Sequence, residues 1–453
     1  MIDPAGLSAS RALDAIARKE LSPLDLTRAC LARIEQLDSV IQAFLVVDAD
    51  AALEQARTLT EELAGNATAR PLHGIPFGIK DIIDVEGLTT TASSRVLAGN
   101  VARSDAPVVE LLRAAGCVLL GKTNTQEFAY GVVTAPTSNP WDPERIPGGS
   151  SGGSAAAVSA GMSIAALGTD TAGSIRIPSA LCGVSGLMPR AGAFAMDGII
   201  PLAPSLDRCG PIARDATDLA VIWSALARHP LAQPAAPGKL RVGAPAAASD
   251  IGEMSPAVDD AVERALVVLA GAGTHRVTVE LPHLREWDYP RSVPLMVEAL
   301  TVHRDAGWYP EYAADYEEGT RAALAYAEKL GGDTLASARR DLERLTGRLM
   351  GAFESVDVLV LPATPIPAPT KAEASAVDGA HRPPITRSLT RICGPVNWCD
   401  LAAVAIPCGF TAEGLPIGLQ IVGRSERTVL EVALLYQSLT DWHTRRPDLS
   451  FAR

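Results

Sequence analysis

Residues 147–183 read PGGSSGGSAAAVSAGMSIAALGTDTAGSIRIPSALCG. Asp170 and Arg176 are the only charged side chains in this run. It holds serines in two glycine-bounded clusters, Ser150-Ser151 and Ser174. Glycine lets backbone approach backbone, so amide N–H groups can point into one shared space. Catalysis on a carbonyl needs that more than packing does. A Gly/Ser linker is excluded, because linkers are polar while AAAVSAGMSIAAL is fit for burial. The pattern predicts a small-residue helix over Gly152–Ala160 and a strand over Met162–Gly168. A tight loop follows over Thr169–Gly173, then a short helix over Ile175–Leu181 with Pro178 in its first turn.

Upstream, residues 73–85 read HGIPFGIKDIIDV. Phe77–Val85 looks like a buried strand with Lys80 and Asp81 inside it. Burial disfavours an ammonium. The structural reading is a Lys80 that snorkels from a strand end or pairs with Asp84. The functional one is a lysine whose pKa falls from ~10.4 far enough for it to act as a base. Gly116–Thr123 matches the phosphate-loop pattern GxxxxGK[ST], but there the strand lies inside the motif and a helix, Ala106–Ala115, precedes it. That order is wrong for phosphate binding.

The rest of the chain reads as alternating helix and strand. Helices are expected at 8–20 and 23–37, with Ser22 as N-cap and Pro23 at the first helical position. A β-rich run covers Ile41–Val47, and Asp48 or Asp50 caps a helix through Leu63. Residues 217–227, 239–245, 255–271 and 275–281 alternate helix and strand, the pattern of a sheet covered by helices. Residues 292–353 are helical. Ala363–Ile385 is a Pro/Ala-rich exposed excursion. Strands at Val358–Leu361, Leu401–Ile406 and Ile417–Val422 return to the sheet, and Glu426–His443 closes it as a helix. There is no internal repeat.

Bulk composition sets limits. The 453 residues are 47% hydrophobic and 20% charged, with a net charge of −12. The acidic balance argues against nucleic acid or an anionic membrane as the main partner. No apolar run reaches ~18 residues, and Met1-Ile2-Asp3 begins no signal peptide, so a cytoplasmic location is expected. None of the seven cysteines forms a CxxC pair. Reduced, mostly buried thiols and no metal are expected.

A serine nucleophile needs a base. None of the seven histidines lies in a glycine-bounded loop like those of the serines, and His73 comes nearest. The elbow GxSxG matches around Ser150 and around Ser151. An elbow needs a strand just before it, and Asn139–Pro147, with three prolines, cannot supply one. No serine has a lysine three residues later, which removes the SxxK arrangement. A lysine on a strand and two serine clusters remain.

That set resembles the amidase signature family of serine hydrolases. The matching pieces are Gly74-Ile75-Pro76 with Lys80-Asp81, PGGSSGGSAAAV at 147–158 and GTDTAGSIRIP at 168–178. Ser205-Leu206-Asp207 through Gly210-Pro211 and Gly414–Gln420 also fit, so the resemblance covers nearly the whole chain. It implies one large α/β domain over residues 1–453, with a mixed, mostly parallel twisted central sheet covered by helices on both faces. A helical N-terminal region spans about 1–65 and the core motifs about 66–230. A helical insertion follows at about 290–355, then C-terminal strands and a closing helix at about 356–453.

The resemblance implies Lys80 as general base, Ser150 as a bridging serine with a cis peptide bond, and Ser174 as nucleophile. Backbone N–H groups of Thr171, Ala172, Gly173 and Ser174 are then the expected oxyanion hole. Asp170 pairs with Arg176 to hold the loop, and Ser151 and Ser154 support it. Ala172 stands where the family more often has glycine. The expected activity is cleavage of a C–N bond in an aryl or alkyl amide, anilide or carbamate, with no cofactor. The expected partner is that small molecule alone, with no nucleic acid and no membrane, on a monomer or homodimer. The alternatives are the glutamine-hydrolysing component of a tRNA-dependent amidotransferase, a urea- or biuret-type amidohydrolase, or a non-catalytic scaffold. Phe128, Tyr130 and Trp398 are candidates for the substrate pocket. Loops at Phe128–Thr137, Pro201–Leu206, 292–353, Ala363–Ile385 and Val396–Cys399 are the candidates for its walls, and the pocket is expected to be more apolar than charged.

Overall fold

The computed structural model describes residues 3–65, 67–375 and 384–452. Among them eleven strands form one sheet. In chain order these are β1 Phe44–Val47, β2 Pro76–Lys80, β3 Val118–Thr123, β4 Ala165–Asp170, β5 Ser185–Met188, β6 Arg208–Ala213, β7 Arg241–Ala244, β8 His275–Thr278, β9 Val358–Pro362, β10 Ala402–Phe410 and β11 Pro416–Gly423. They lie side by side as β1-β3-β2-β4-β6-β5-β10-β11-β9-β7-β8. The mixed α/β sheet is as expected. Its parallel pairing is gathered in two blocks: β2 with β3 and β4, and β7 with β8 and β9. Antiparallel pairs join the blocks through the middle and add β1 at the edge. The short 411–415 connection between β10 and β11 allows only antiparallel pairing there.

The helices are α1 Ala9–Ala17, α2 Pro23–Ile41, α3 Ala49–Ala64, α4 Pro107–Ala114, α5 Gly152–Ala160, α6 Arg176–Cys182, α7 Ala216–Ala227, α8 Pro256–Gly271, α9 Leu284–Asp305, α10 Glu318–Ala327, α11 Gly332–Ala352, α12 Lys371–Ser375, α13 Pro384–Trp398 and α14 Glu426–Ser438. Caps follow the sequence signals. Ser22 accepts from the Asp25 N–H with Pro23 leading α2, and Asp48, not Asp50, caps α3. A Cβ on Gly418 would meet Ala180 of α6, and one on Gly423 would meet Val429 of α14. Positions an odd number apart face opposite ways on a strand. Helices therefore cover β11 on both faces.

Several boundaries differ from the sequence reading, among them the following. β2 stops at Lys80, because Asp81 leaves the strand to pair with Lys122, at 2.9 Å. The strand after α5 starts later and runs on through Asp170, because Thr169 and Asp170 pair with Cys209 and Arg208 of β6. The tight loop is thereby moved to 171–175. The closing helix α14 ends at Ser438, with a short 3₁₀ turn over Trp442–Thr444. Residues 376–383 of the expected excursion lie outside the described residues. No helix among the described residues is long and apolar enough to cross a membrane. All seven cysteines are buried and unbridged.

Candidate active site

Helix α5 is built wholly from buried residues. Gly153, in its first turn, lies against the next layer: a Cβ there would stand 2.5 Å from the Asn124 nitrogen and 2.6 Å from the Ala43 oxygen. That contact fixes the helix start, and with it the Ser150-Ser151 turn just before. The Gly149–Ser150 peptide bond is cis. The Ser151 N–H donates to the Ser174 carbonyl at 3.1 Å, so the two serine clusters meet. Ser151 Oγ donates to Thr169 O and accepts from the Thr169 N–H, while Ser154 Oγ donates to Leu167 O. The α5 turn is thus stitched to β4.

Lys80 ends β2 with its amine fully buried. Its Nζ donates to Ser150 Oγ at 2.7 Å and to Thr169 Oγ1 at 2.8 Å. Neither partner is charged, so the snorkelling and Lys80–Asp84 readings both fall. Burial drives the amine down to a pKa of about 7, against an upward pull from the Asp170 and Asp207 carboxylates farther off. Lys122, the lysine of the phosphate-loop match, is buried in β3 against Asp81 and Thr90.

The loop after β4 is organised by Asp170 and Arg176, both fully buried. Arg176 Nε and Nη2 donate to the two carboxylate oxygens at 3.0 and 2.9 Å. Burial alone would raise the Asp170 pKa, but the guanidinium and its other donors outweigh that and hold it at about 2. The same carboxylate accepts from the Gly173 N–H at 2.7 Å and the Ile175 N–H at 3.1 Å. Gly173 has a φ of +120°, and a Cβ there would strike Cys393 at 2.6 Å. This corrects one expectation: the Gly173 N–H is committed to Asp170 and is not available to an oxyanion. The N–H groups of Thr171, Ala172 and Ser174 have no acceptor among the described residues. Ser174 is 6% exposed and its hydroxyl is likewise unbonded among them.

Several partners were not singled out by sequence. Thr169 is the second hydroxyl on Lys80. Arg176 is also tied to Asn397 and Gln420, and Asn397 donates back to Asp170. Asp207, inside the quoted Ser-Leu-Asp motif, accepts from Thr171 Oγ1 and from the Leu202 and Ala203 N–H groups. Burial raises its pKa to about 6 despite those bonds.

The pocket residues need correction. A cavity of about 350 Å³ opens at Ala172. Its walls come from α9, α10 and α13, with Leu295, Met296, Ala323, Thr386 and Arg387 among them. Phe128, Tyr130 and Trp398 do not line it. Phe128 is instead enclosed by rings of the helical insertion, with His303 at 4.5 Å and Trp308 and Tyr316 beyond. Tyr130 is buried, and Trp398 packs into the apolar group around Val396 and Cys399. Of the expected walls, the helical insertion lines the cavity, and α13 lines it just beyond Ile385. Charged side chains, Asp288, Arg291 and Arg387, stand in it beside the apolar ones. Among the described residues no group of three or more His, Cys, Asp or Glu is placed to hold a metal.

Comparison with known proteins gives a consistent result. A family model described as Amidase matches residues 25–430. The A-subunit of glutamyl-tRNA(Gln) amidotransferase from Chloroflexus aggregans is 39% identical, over 98% of this chain and 99% of its own length. A crystal structure of an amidase superposes with a TM-score of 0.87 at 30% identity, covering 95% of this chain and 99% of that one. A 6-aminohexanoate cyclic dimer hydrolase, solved with its substrate, gives 0.88 at 27% identity over 98% and 99%.

Proposed function

The chain belongs to the amidase family, and from that premise we propose that it hydrolyses the C–N bond of a small-molecule amide through an acyl-enzyme on Ser174. The observation that carries this reading is the fully buried Lys80 amine on Ser150 Oγ at 2.7 Å. An amine with a pKa of about 7 is half neutral near pH 7 and can take a proton. Ser174 Oγ attacks the amide carbonyl and passes its proton to Ser150 Oγ, which passes its own to Lys80. The oxyanion forms beside the free N–H groups of Thr171, Ala172 and Ser174, three donors in place of the four expected. Loss of one such donor typically costs ~10²–10³ in rate. Collapse expels the amine, protonated back through Ser150, and water then hydrolyses the ester.

Two substrate readings share this chemistry. The relatives favour glutamine: the glutamyl-tRNA(Gln) amidotransferase chains match over 98% of this one. In that case the protein feeds ammonia to partner chains that handle tRNA. The cavity favours a stand-alone amidase. Glutamine carries an ammonium, and the one carboxylate among the described residues lining the cavity, Asp288, is already held by Arg391 at 2.8 Å and lies 3.7 Å from Arg291. We take the stand-alone amidase as the reading. A carbamate is a variant of it that the same nucleophile would accept.

The test is a panel of p-nitroanilides, short aliphatic amides, carbamates, ureas and glutamine on the purified chain. A fluorophosphonate label is read out in parallel. Labelling at Ser174, with turnover of simple amides above glutamine, is the expected result. A label elsewhere overturns the nucleophile. Glutamine turnover alone, or only with added partner chains, overturns the stand-alone reading.

A further inference from the structure

The cavity that opens at Ala172 carries an uncompensated positive charge. Arg387 is exposed on its wall and makes no ion pair among the described residues. It stands in the first turn of α13, a helix of 15 residues. A cation there is opposed by the helix dipole, which favours an anion at that end. Asp288 does not cancel it, since that carboxylate is bonded by Arg391 Nε and Nη2 at 3.2 and 2.8 Å. Arg291, on the same wall, donates to Thr390 Oγ1 and is itself paired with Asp288 at 3.7 Å, so the unpaired charge is that of Arg387. Leu295, Met296 and Ala323 line the same cavity with apolar surface, and Ala172 stands at it as well.

Resting on the amidase reading above, we propose that the substrate is an amide whose apolar arm carries a carboxylate and no cation, the carboxylate being held by Arg387. A guanidinium binds a carboxylate through two parallel N–H donors, which a lysine or an amide cannot reproduce. An aliphatic arm of a few carbons would lie against Leu295 and Met296. An ammonium on that arm would meet Arg387, and among the described residues lining the cavity the one acid, Asp288, is already paired.

Three primary amides separate the terms: pentanamide, glutaramate and L-glutamine. They share the scissile group and differ by one carboxylate, then by one ammonium. Ammonia release is measured on the full chain and on Arg387→Gln. Arg387 is exposed, so the variant keeps the fold. A charge-assisted hydrogen-bonded contact is worth about 10- to 100-fold. Glutaramate is therefore expected to exceed pentanamide in kcat/KM by that factor, mainly through KM, with glutamine below glutaramate. Arg387→Gln should bring glutaramate and pentanamide within a few-fold of each other, and Arg387→Lys should restore part of the gap. Equal turnover of glutaramate and pentanamide by the wild-type chain overturns the proposal, as does a ratio untouched by Arg387→Gln. Glutamine outrunning glutaramate overturns it too.

A second readout needs no turnover. Glutarate should slow fluorophosphonate labelling of Ser174 in the wild-type chain and not in Arg387→Gln. Labelling of Ser174 that glutarate leaves unchanged sinks the anion site alone. Failure of Ser174 to label sinks the amidase reading beneath it.

Discussion

Two buried lysines stand on adjacent strands and meet different fates. Lys80 ends β2 and Lys122 lies in β3, where Lys122 is registered against Ile79 and Lys80 against Thr123. Laterally paired residues share a face and successive residues alternate, so the two amines leave the sheet on opposite sides. Both side chains are fully buried, and burial pushes both pKa values down. Lys122 touches the Asp81 carboxylate at 2.9 Å and is the cation of an ion pair. Among the described residues the Lys80 amine is hydrogen-bonded only to the hydroxyls of Ser150 and Thr169. Burial supplies the same cost in each case. What differs is whether a carboxylate offsets it. A lysine becomes a base where the fold withholds the counter-ion, and a structural cation where the fold supplies one.

The comparison breaks first at Lys80. Lys80→Met should lower kcat/KM by ~10⁴-fold or more, as loss of one member of a nucleophile–base unit does. Ser174→Ala should fall to the same level, and the double variant no further. Lys80→Arg keeps a cation that cannot deprotonate and should be as inactive as Lys80→Met. A Lys80 variant that retains a tenth of the wild-type rate would end the assignment. The opposite face answers in a different quantity. Asp81→Asn leaves Lys122 without its partner and should cost ~3–5 kcal/mol of stability, read as a lower denaturant midpoint. The pH dependence of whatever activity remains should not move. If Asp81→Asn shifts that profile instead, the two lysines are not separate devices.

Much of this contrast was legible in the sequence, and its limits follow from what sequence carries. The serine loops, Lys80 and the Asp170–Arg176 pair stand out because charge and glycine are locally conspicuous there. The two lysines could not be told apart by the same means. Each sits in an apolar run, and the aspartate next to Lys80, Asp81, pairs with Lys122 rather than with its neighbour, a cross-strand event. The Gly173 N–H illustrates another limit. The loop sequence offers four donors, and only the path of the chain around the Asp170 carboxylate removes one. The cavity was the least legible part. Phe128 and Tyr130 are conspicuous in a chain that is 4% aromatic, yet such rings also fill the core, and here the helical insertion encloses Phe128. The cavity wall instead comes from α9, α10 and α13, brought together over Ala172 from distant parts of the chain.

The pH profile sharpens the Lys80 side. The base works when neutral, and its pKa is about 7. The sign is therefore fixed: kcat/KM should rise with pH and reach half its plateau near pH 7, falling ~10-fold for each unit below. A limb near the ordinary lysine value, ~10.4, would mean that the amine is not desolvated in solution.

The smallest expected effect tests the carboxylates that stand off from Lys80. Asp170 and Asp207 both favour its charged form without touching it. Asp170 is locked to Arg176, so its charge cannot be removed without disturbing the loop. Asp207 is the gentler probe. Asp207→Asn removes one negative charge and leaves an amide oxygen to accept from the Leu202 and Ala203 N–H groups that now bond the carboxylate. With that charge gone the Lys80 cation is less favoured and its pKa falls. The acid limb of kcat/KM should then move to lower pH in Asp207→Asn, with a reduced plateau from the weakened hold on Thr171. A limb that moves to higher pH would overturn the direction of the pull that Asp207 exerts on Lys80. A limb that stays in place would mean that Asp207 is neutral beside Lys80 over the working range, as its burial favours. The withheld counter-ion would then be withheld at every distance, not only at contact.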